Sequence, residues 1–580
     1  MRFGVALDLR VRAWLCVALA TFAVVEAQDA RRPNVLFVTI DALRADRVNP
    51  ALTPTLTAIG GRGTRFTRAY THAPLTLPAH ASLLTGLVPP AHGVRSNGFR
   101  LDGLVITLPE LLRAAGYRTG AFIGGSALDA RFGLAQGFEE YDDRYDLLQD
   151  PTGSNAFRHG ARPASAVLAA TAAWIARQPE PWFAWSHLRD PHSPTAGPPY
   201  ASYDRAVAAA DMALGAFLEP LAAGGMLART LIVVTADHGA SLGEHGERSH
   251  GVFAYEGVLR VPLVVAGPGV PRAEVRLPVS HADVMPTVLE LLRLTLPASD
   301  GQSLVAAMRG GEMDARAIYF EALDPALARG GAPLTGVVAG QWKFIDLPIP
   351  ELYDVLADPE EKANRAAGEP AMATRLRDTT VRRRTASTRA DAALSLAEPA
   401  ARATLRSLGY VGSASWRLGA SRVEDDPKRL LPLHLAYEAA LEIGGTDPEA
   451  ALHQLRLILE QRPDFAAAID AAGALLVAQG KPRQAITLLR DARAGGLRHR
   501  VLAERLAAAL LAVKDPRGAV EVMEPVVEAE DAAADARFLL ARGYAALGKG
   551  GAAIEQLEAA LQIDPTFTAA SDLLQRLRKR

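Results

Sequence analysis

Val35-Leu36-Phe37-Val38-Thr39-Ile40-Asp41 is a short apolar run that stops at an acid. Its composition is that of a buried strand. Four more runs have the same character: Gly120-Ala121-Phe122-Ile123, Trp182-Phe183-Ala184-Trp185, Leu231-Ile232-Val233-Val234 and Pro262-Leu263-Val264-Val265. Helical patterns lie between them, at 108–115 and 164–177. Alternating β and α segments from Pro33 to about Arg365 predict an α/β domain with a mostly parallel sheet covered on both faces by helices. Asp41, His187 and Asp237 each follow such a strand. In open α/β sheets that edge is where ligands bind.

The chain has 580 residues, more than one core serves, so two or three domains are expected. Lys plus Arg total 63 against 64 for Asp plus Glu. That balance argues against a nucleic-acid partner held by bulk charge. Arg2, Arg10 and Arg12 precede an apolar run at 13–25, and Val25-Glu26-Ala27 resembles a small-x-small cleavage site. Residues 1–27 therefore read as a signal peptide, with an uncleaved anchor as the alternative. Both export the protein, to a periplasmic or extracellular location. The only cysteine, Cys16, lies in this leader, and the bulky Trp14 and Leu15 do not make a lipobox.

The C-terminal part repeats. Ala451, Ala485, Ala519 and Ala553 are 34 residues apart, and Leu455, Leu489, Met523 and Leu557 keep the same step. Gly480, Lys514 and Gly548 mark the turn before each second helix, and Pro463 and Pro565 lie three periods apart. Small residues at that period are the tetratricopeptide signature. Residues 427–580 are assigned to such an all-α repeat domain, with an ordinary helical bundle as the alternative. Residues 366–426, rich in Ala, Arg, Thr and Ser, read as a linker; Leu405-Arg406-Ser407-Leu408-Gly409-Tyr410 is their one motif-like segment.

Thr76-Leu77-Pro78-Ala79-His80-Ala81-Ser82-Leu83-Leu84-Thr85-Gly86 resembles the sulfatase signature C-x-P-S-R-x-x-L-L-T-G. In that family the Cys, or less often Ser, becomes formylglycine. Here the position is Thr76, and Ala79 and His80 replace the Ser and Arg, so no formylglycine is expected. Pro78 suits the first turn of a helix, which would place Thr76 at a helix N-terminus, where anions are favoured. Asp41-Ala42-Leu43-Arg44-Ala45-Asp46 and Thr235-Ala236-Asp237-His238-Gly239 resemble two further segments of the alkaline phosphatase superfamily, to which sulfatases belong. Sulfatases often carry a second acid where Ala42 stands. The resemblance covers most of 33–365. It implies an alkaline phosphatase/sulfatase-like catalytic domain at 31–365, with 315–365 as a small C-terminal subdomain. Glu351-Leu352-Tyr353-Asp354 and Asp358-Pro359-Glu360 resemble that piece.

The same resemblance implies that Asp41, Thr76, Asp237 and His238 hold one divalent metal. The mixed N/O donors suit Zn²⁺ or Mn²⁺ better than Ca²⁺. Asn97 resembles the Asn that binds a non-bridging oxygen in phosphodiesterase members; an Asn-Gly turn is the alternative. His187-Leu188-Arg189-Asp190-Pro191-His192-Ser193-Pro194 resembles H-x-x-x-P-H-x-P, where the second His contacts the transferred group. His250 stands where sulfatases usually have a substrate-binding Lys, and adds a titratable group or a ligand instead. A second metal held by Asp190, His192 and His250 is an alternative. His187 and His245 read as structural, and Glu244 and Glu247 as solvated loop acids.

Thr76, Asn97, His192 and His250 are thus the expected catalytic set. A metal would activate the Thr76 hydroxyl for in-line attack, and His192 and His250 would serve the leaving group. A formylglycine sulfate leaves by carbon–oxygen cleavage of a hydrate; a sulfo-threonine has no such route. Hydrolysis or transfer at phosphodiester, phosphonate or other phosphate esters is therefore preferred, with sulfate-ester cleavage and an inactive binding scaffold as alternatives. The loops at 124–150 would shape the pocket for this anionic ester, and the concave face of the repeats would bind a protein or peptide.

Overall fold

The computed structural model describes residues 32–97, 99–144, 146–147, 160–192, 199–386, 421–497, 500–529, 534–563 and 567–579. The leader at 1–27 with Cys16, the motif at 405–410, Pro565 and part of the 124–150 loops lie outside the described residues.

β1 (Asn34–Ile40) is buried along its whole length because both faces and both edges are covered. It pairs in parallel with β7 (Trp182–Leu188) on one side and β8 (Thr230–Ala236) on the other. β3 (Arg118–Ile123) and β4 (Glu140–Asp142) continue in parallel beyond β7. Beyond β8 come β9 (Arg260–Ala266), β2 (Thr64–Tyr70) and β10 (Ala273–Val275), and β11 (Val279–Ser280) also pairs β2. The sheet has nine strands among the described residues. β9 runs antiparallel to both its neighbours. Its sequence, 262–265, reads no differently from the parallel strands. The difference lies in the connection: β8 returns to β9 without a crossover helix long enough to reverse the chain. A separate two-stranded ribbon joins β5 (Asp146–Leu147) to β6 (Gly160–Ala161).

Helices pack on the sheet where the sequence is helix-periodic. The Thr76 segment forms α1 (Thr76–Thr85), every residue of which is buried. α2 (Leu108–Ala114) begins at a capping box of Thr107 and Glu110. α3 (Ala164–Ile175) lays Trp174 over β3, where a Cβ at Gly120 would come within 2.7 Å of its ring. α4 (Pro199–Ala223) adds Val207, Leu214 and Phe217 to the same core.

A second, antiparallel sheet follows: β12 (Ile318–Ala322), β13 (Leu334–Ala339), β14 (Trp342–Asp346) and β15 (Glu351–Asp354). α5 (Pro370–Ala386) covers it, with Ala373 and Leu376 against Val337, Phe344 and Leu352. The stretch read as a linker from Ala366 thus begins with a packed helix; two apolar side chains suffice to dock an otherwise Arg-rich sequence. Lys343 of β14 is fully buried, with Nζ 2.9 Å from Glu361 Oε1 and 3.5 Å from Glu256 Oε1. Burial pushes the Glu361 carboxyl up to about 7. Glu256 opens the turn Glu256–Leu259, and the Val258 carbonyl of that turn accepts from Gly239 N at 2.7 Å. One buried cation therefore ties the second sheet to the loop behind His238.

The rest is a run of consecutive helices: α6 (Pro427–Ile443), α7 (Pro448–Gln461), α8 (Ala466–Ala478), α9 (Pro482–Ala494), α10 (Arg500–Ala512), α11 (Pro516–Ala529), α12 (Ala534–Ala546), α13 (Gly550–Ile563) and α14 (Thr568–Arg578). The eight positions at the 34-residue step, from Ala451 and Leu455 to Ala553 and Leu557, are at most 1% exposed. α6 docks on the second sheet and the loop at Gly246. Lys428 Nζ donates to the Ile349 carbonyl at 2.9 Å, Asp426 accepts from Ile349 N at 2.8 Å, and Leu431 packs over Gly246.

Gly480, Lys514 and Gly548 have φ of 71°, 64° and 75°. Only Lys514 carries a Cβ in this left-handed conformation. Lys514→Gly is expected to stabilise the helical region by about 1 kcal/mol, read as a higher thermal midpoint; an unchanged or lower midpoint contradicts the strain. Lys343→Met leaves Glu361 buried without its cation and Glu256 with only Arg260, at 3.7 Å, and is expected to cost about 3–5 kcal/mol in denaturant unfolding.

Candidate active site and metal centre

The register of the three central strands places Ile40 level with Leu188 on β7 and with Ala236 on β8. The next residues along β1 and β8 are Asp41 and Asp237. Asp41 N donates to the Leu188 carbonyl at 2.8 Å, so the acid is held at the strand's last rung. Ala42 then turns into the left-handed region at φ 58° and donates its N–H to Asp237 Oδ1 at 3.0 Å. His238 N donates to the same oxygen at 2.8 Å. Asp237 Oδ1 is filled by the backbone, and Asp237 Oδ2 is buried without a hydrogen-bond partner.

His238 Nδ1 lies 2.8 Å from the Gly239 carbonyl oxygen, which can only accept, so Nδ1 carries a proton and Nε2 is the nitrogen left to face a cation. That nitrogen is 3.5 Å from Asp237 Oδ2, 3.6 Å from Asp41 Oδ1 and 3.4 Å from Thr76 Oγ1. Asp41 Oδ1 is likewise buried and without a hydrogen-bond partner. Lone pairs from two carboxylates and an imidazole thus converge in a dry pocket, an arrangement that a divalent cation satisfies and that repels itself without one. Among the described residues, Asp41, Asp237 and His238 are the group whose ligand atoms all lie within 4.8 Å of one another. The residues present fit a metal.

Thr76 is the first residue of α1, is 2% exposed, and follows the extended Leu75. The helix has no cap of its own; Asn97 Oδ1 accepts the Leu77 N–H at 3.0 Å from twenty residues away. Asn97 therefore stands at the helix N-terminus with its amide NH₂ group still available to donate. His80, one turn into α1, lies 2.7 Å by Nδ1 from the Thr76 carbonyl. His192 Nδ1 lies 3.4 Å from Asp41 Oδ1. The His250 ring is 4.2 Å from that of His238 and 5.1 Å from that of His192, and its Nδ1 is 2.9 Å from the Pro74 carbonyl. Burial, then the His238 and His192 rings, push the His250 imidazole well below its usual value.

The structure thus gathers Asp41, Thr76, Asn97, His192, Asp237, His238 and His250 at one strand edge. Asp190 is not part of the cluster in the sense expected. Its Oδ2 accepts the Ala164 N–H at 2.8 Å and caps α3, which leaves one of its oxygens for the alternative second metal with His192 and His250. His187 is buried between Thr39 and Asp41, and His245 stacks on Tyr255 at 3.5 Å. The two loop acids are not simply solvated. Glu247 is 3% exposed, accepts the Val252 N–H at 2.8 Å, and is pushed up to about 7 by burial. Glu244 pairs with Arg44 at 2.9 Å and accepts the Leu242 N–H. Both acids brace the loop that carries His250. Thr39, whose hydroxyl contacts His80 and His187, was missed; its signal was a hydroxyl in the apolar run of β1.

Burial and the neighbouring Asp41 push Asp237 up to about 7. A carboxyl raised on folding binds an extra proton in the folded state between its unfolded and folded values. Metal-free stability from this group is therefore lost as pH rises from about 4 to about 7. Asp41 has the opposite sign: burial raises it, but His192, His238 and His187 outweigh burial and hold it well below the usual carboxylate range. Its contribution is present above about pH 4 and lost below. A divalent cation must displace the Asp237 proton. Zn²⁺ affinity is therefore expected to climb about tenfold per pH unit below 7 and to level off above it, with proton release seen by calorimetry in two buffers. An affinity flat between pH 5 and 7 contradicts this.

A sulfatase family model matches residues 33–294. The choline-sulfatase of Rhizobium meliloti (strain 1021) is 27% identical over 427 residues, covering 58% of this chain and 82% of that protein. The crystal structure of a phosphonate monoester hydrolase of Agrobacterium radiobacter is similar with a TM-score of 0.51 at 22% identity, over 61% of this chain and 96% of that one. A putative sulfatase from Bacteroides thetaiotaomicron gives 0.52 at 22%, over 64% and 96%. At such identities the structural likeness carries the fold. The sequence match and the strand-edge site together identify residues 33–294 as a sulfatase domain of the alkaline phosphatase-like superfamily.

Proposed function

We propose that this protein is an exported, metal-dependent hydrolase that uses Thr76 as its nucleophile on phosphodiester, phosphonate or other phosphate esters. One observation carries the reading: the Thr76 hydroxyl, at a helix N-terminus, lies 3.4 Å from Nε2 of His238. A divalent cation held by Asp41, Asp237 and His238 would lower the proton affinity of a neighbouring hydroxyl and offset the charge of an anionic ester. Zn²⁺ or Mn²⁺ suits this donor set.

Thr76 Oγ attacks phosphorus in line as the phosphorus–oxygen bond to the leaving alcohol breaks. The backbone N–H groups of the first turn of α1 and the Asn97 amide face the phosphoryl oxygens. His192 or His250, whose rings both flank the site, takes the Thr76 hydroxyl proton and passes it to the leaving alcohol. Water or an acceptor alcohol then attacks the phospho-threonine at phosphorus; the same imidazole takes its proton and returns it to Thr76 Oγ as that phosphorus–oxygen bond breaks, so Thr76 is regenerated. A sulfo-threonine would also have to be opened at sulfur, without the carbon–oxygen route of a formylglycine hydrate. Sulfate-ester cleavage is the second reading, favoured by the 27% identity to choline-sulfatase. The basic, then apolar, leader supports export. The buried 34-residue register supports a tetratricopeptide array that takes a protein or peptide.

The test compares nitrophenyl phosphodiester, phosphonate monoester, phosphomonoester and sulfate, with Zn²⁺ and Mn²⁺, for the native chain, Thr76→Ala and Thr76→Ser. Phosphodiester or phosphonate turnover is expected, falling by about 10³-fold or more in Thr76→Ala and far less in Thr76→Ser. Dominant sulfate turnover that depends on Thr76 sinks the phosphate assignment. Turnover indifferent to Thr76→Ala sinks the nucleophile.

A further inference from the structure

Three contacts tie β12 of the second sheet to the two segments that carry Thr76 and Asn97. The Tyr319 carbonyl accepts from His72 Nδ1 at 2.6 Å, and Glu321 N donates to the His72 carbonyl at 2.9 Å. His72 is buried and precedes Thr76 by four residues. The third contact is an ion pair. Arg95 Nε and Nη2 donate to Glu321 Oε1 and Oε2, both at 2.5 Å, a two-pronged pairing that fixes the plane of the guanidinium. Tyr319 Oη donates to Glu321 Oε2 at 2.8 Å. The Glu321 side chain is 0% exposed, while that of Arg95 keeps 24%. Arg95 lies two residues before Asn97. Asn97 in turn caps α1, its Oδ1 accepting the Leu77 N–H at 3.0 Å. This helix end has few other donors, because Pro78 has no N–H and Ala79 N is bound to the Leu75 carbonyl at 3.2 Å.

We propose that Glu321 is a positioning residue for the anionic ester: through Arg95 it holds Asn97 against the first turn of α1, where the Asn97 amide donates to a non-bridging oxygen of the group transferred to Thr76. The proposal rests on the roles of Thr76 and Asn97 given above. An arginine two residues from Asn97 invites the reading of an ester-binding cation. The pairing argues for a strut instead. Arg95 turns Nε and Nη2 to Glu321, and the two opposite charges offset one another. Both oxygens of the buried carboxylate are occupied, so Glu321 has one defined position and passes it to the loop of Asn97. A lysine at 95 would keep the charge but not the fixed plane. The same strand holds His72 on the way into α1. One strand is therefore the common reference for the helix start and for the loop that caps it. Such a reference matters because a misplacement of about 1 Å at a reacting group costs on the order of 10²-fold in rate.

Two readouts on the full chain test this. Hydrogen exchange at the Leu77 amide reports the Asn97 cap without any reaction. It is expected to quicken about tenfold or more in Glu321→Gln and in Arg95→Lys, while the Leu84 amide in the last turn of α1 changes by less than about twofold. Leu77 exchange at the native rate in either folded variant overturns the proposal, whatever Thr76 turns out to do. A double-mutant cycle, run on the nitrophenyl ester that the protein turns over, gives the second readout. Asn97→Ala is expected to lower kcat about 10²-fold. Glu321→Gln is expected to lower it about tenfold, with KM within about threefold of native. In the Asn97→Ala background, Glu321→Gln is expected to cost less than about twofold, because its effect runs through Asn97. The same loss in both backgrounds overturns the proposal and leaves Glu321 a purely structural residue. Turnover indifferent to Asn97→Ala also overturns it, and leaves Thr76 to its own variants. Should Glu321→Gln not fold, Arg95→Lys, which keeps the charge beside the buried acid, carries both readouts.

Discussion

Two backbone N–H groups, from Ala42 and His238, converge on Asp237 Oδ1, and the rest of the site depends on that convergence. It ties the turn after β1 to the turn after β8 and consumes one oxygen of the buried acid. The other oxygen is thereby aimed, unpaired, at Asp41 and His238. A short, doubly accepted hydrogen bond to a charged group is worth more than a neutral one. Here its larger effect is directional, because the carboxylate cannot rotate to relieve its repulsion from Asp41. The left-handed conformation of Ala42 is part of the same device. It costs about 1 kcal/mol for a residue with a Cβ, and it points the N–H at Asp237.

Around this fixed pair the fold arranges parts that are individually weak. α1 has no capping side chain at its start, and Asn97 serves as its cap from the next loop. The loop carrying His250 is braced from inside by Glu247, an acid that a loop sequence would leave in water, and at its edge by Glu244 paired with Arg44. The second sheet holds the turn behind His238 through Lys343, Glu256 and Glu361. Taking three charges out of water is expensive. What such a network supplies is one defined position for the Gly239–Val258 contact.

The helical region is attached at the same flank. α6 holds Ile349 by both its backbone groups, and Leu431 packs over Gly246 in the His250 loop. The run of helices is therefore continuous with the second sheet and lies against the loop of the site. Its own core comes from positions 34 residues apart, each supplying the same small or medium side chain to the same helix contact.

The sequence by itself determined the α/β alternation, the helical C-terminal region and the residue types of the site, because each depends on short-range pattern. Apolar runs of strand length, a 34-residue step and an acid at a strand end are visible in one dimension. The tertiary structure alone decided the direction of β9, the packing of α5 on the second sheet, the diversion of Asp190 to the start of α3, and the burial of Glu247. Each of these follows from what lies across a contact from residues distant in the chain. Thr39 shows the limit most clearly. As a hydroxyl in an apolar strand it is unremarked in the sequence. The registry of β1 with β7 and the placement of α1 bring Trp185, His187 and His80 to its single oxygen.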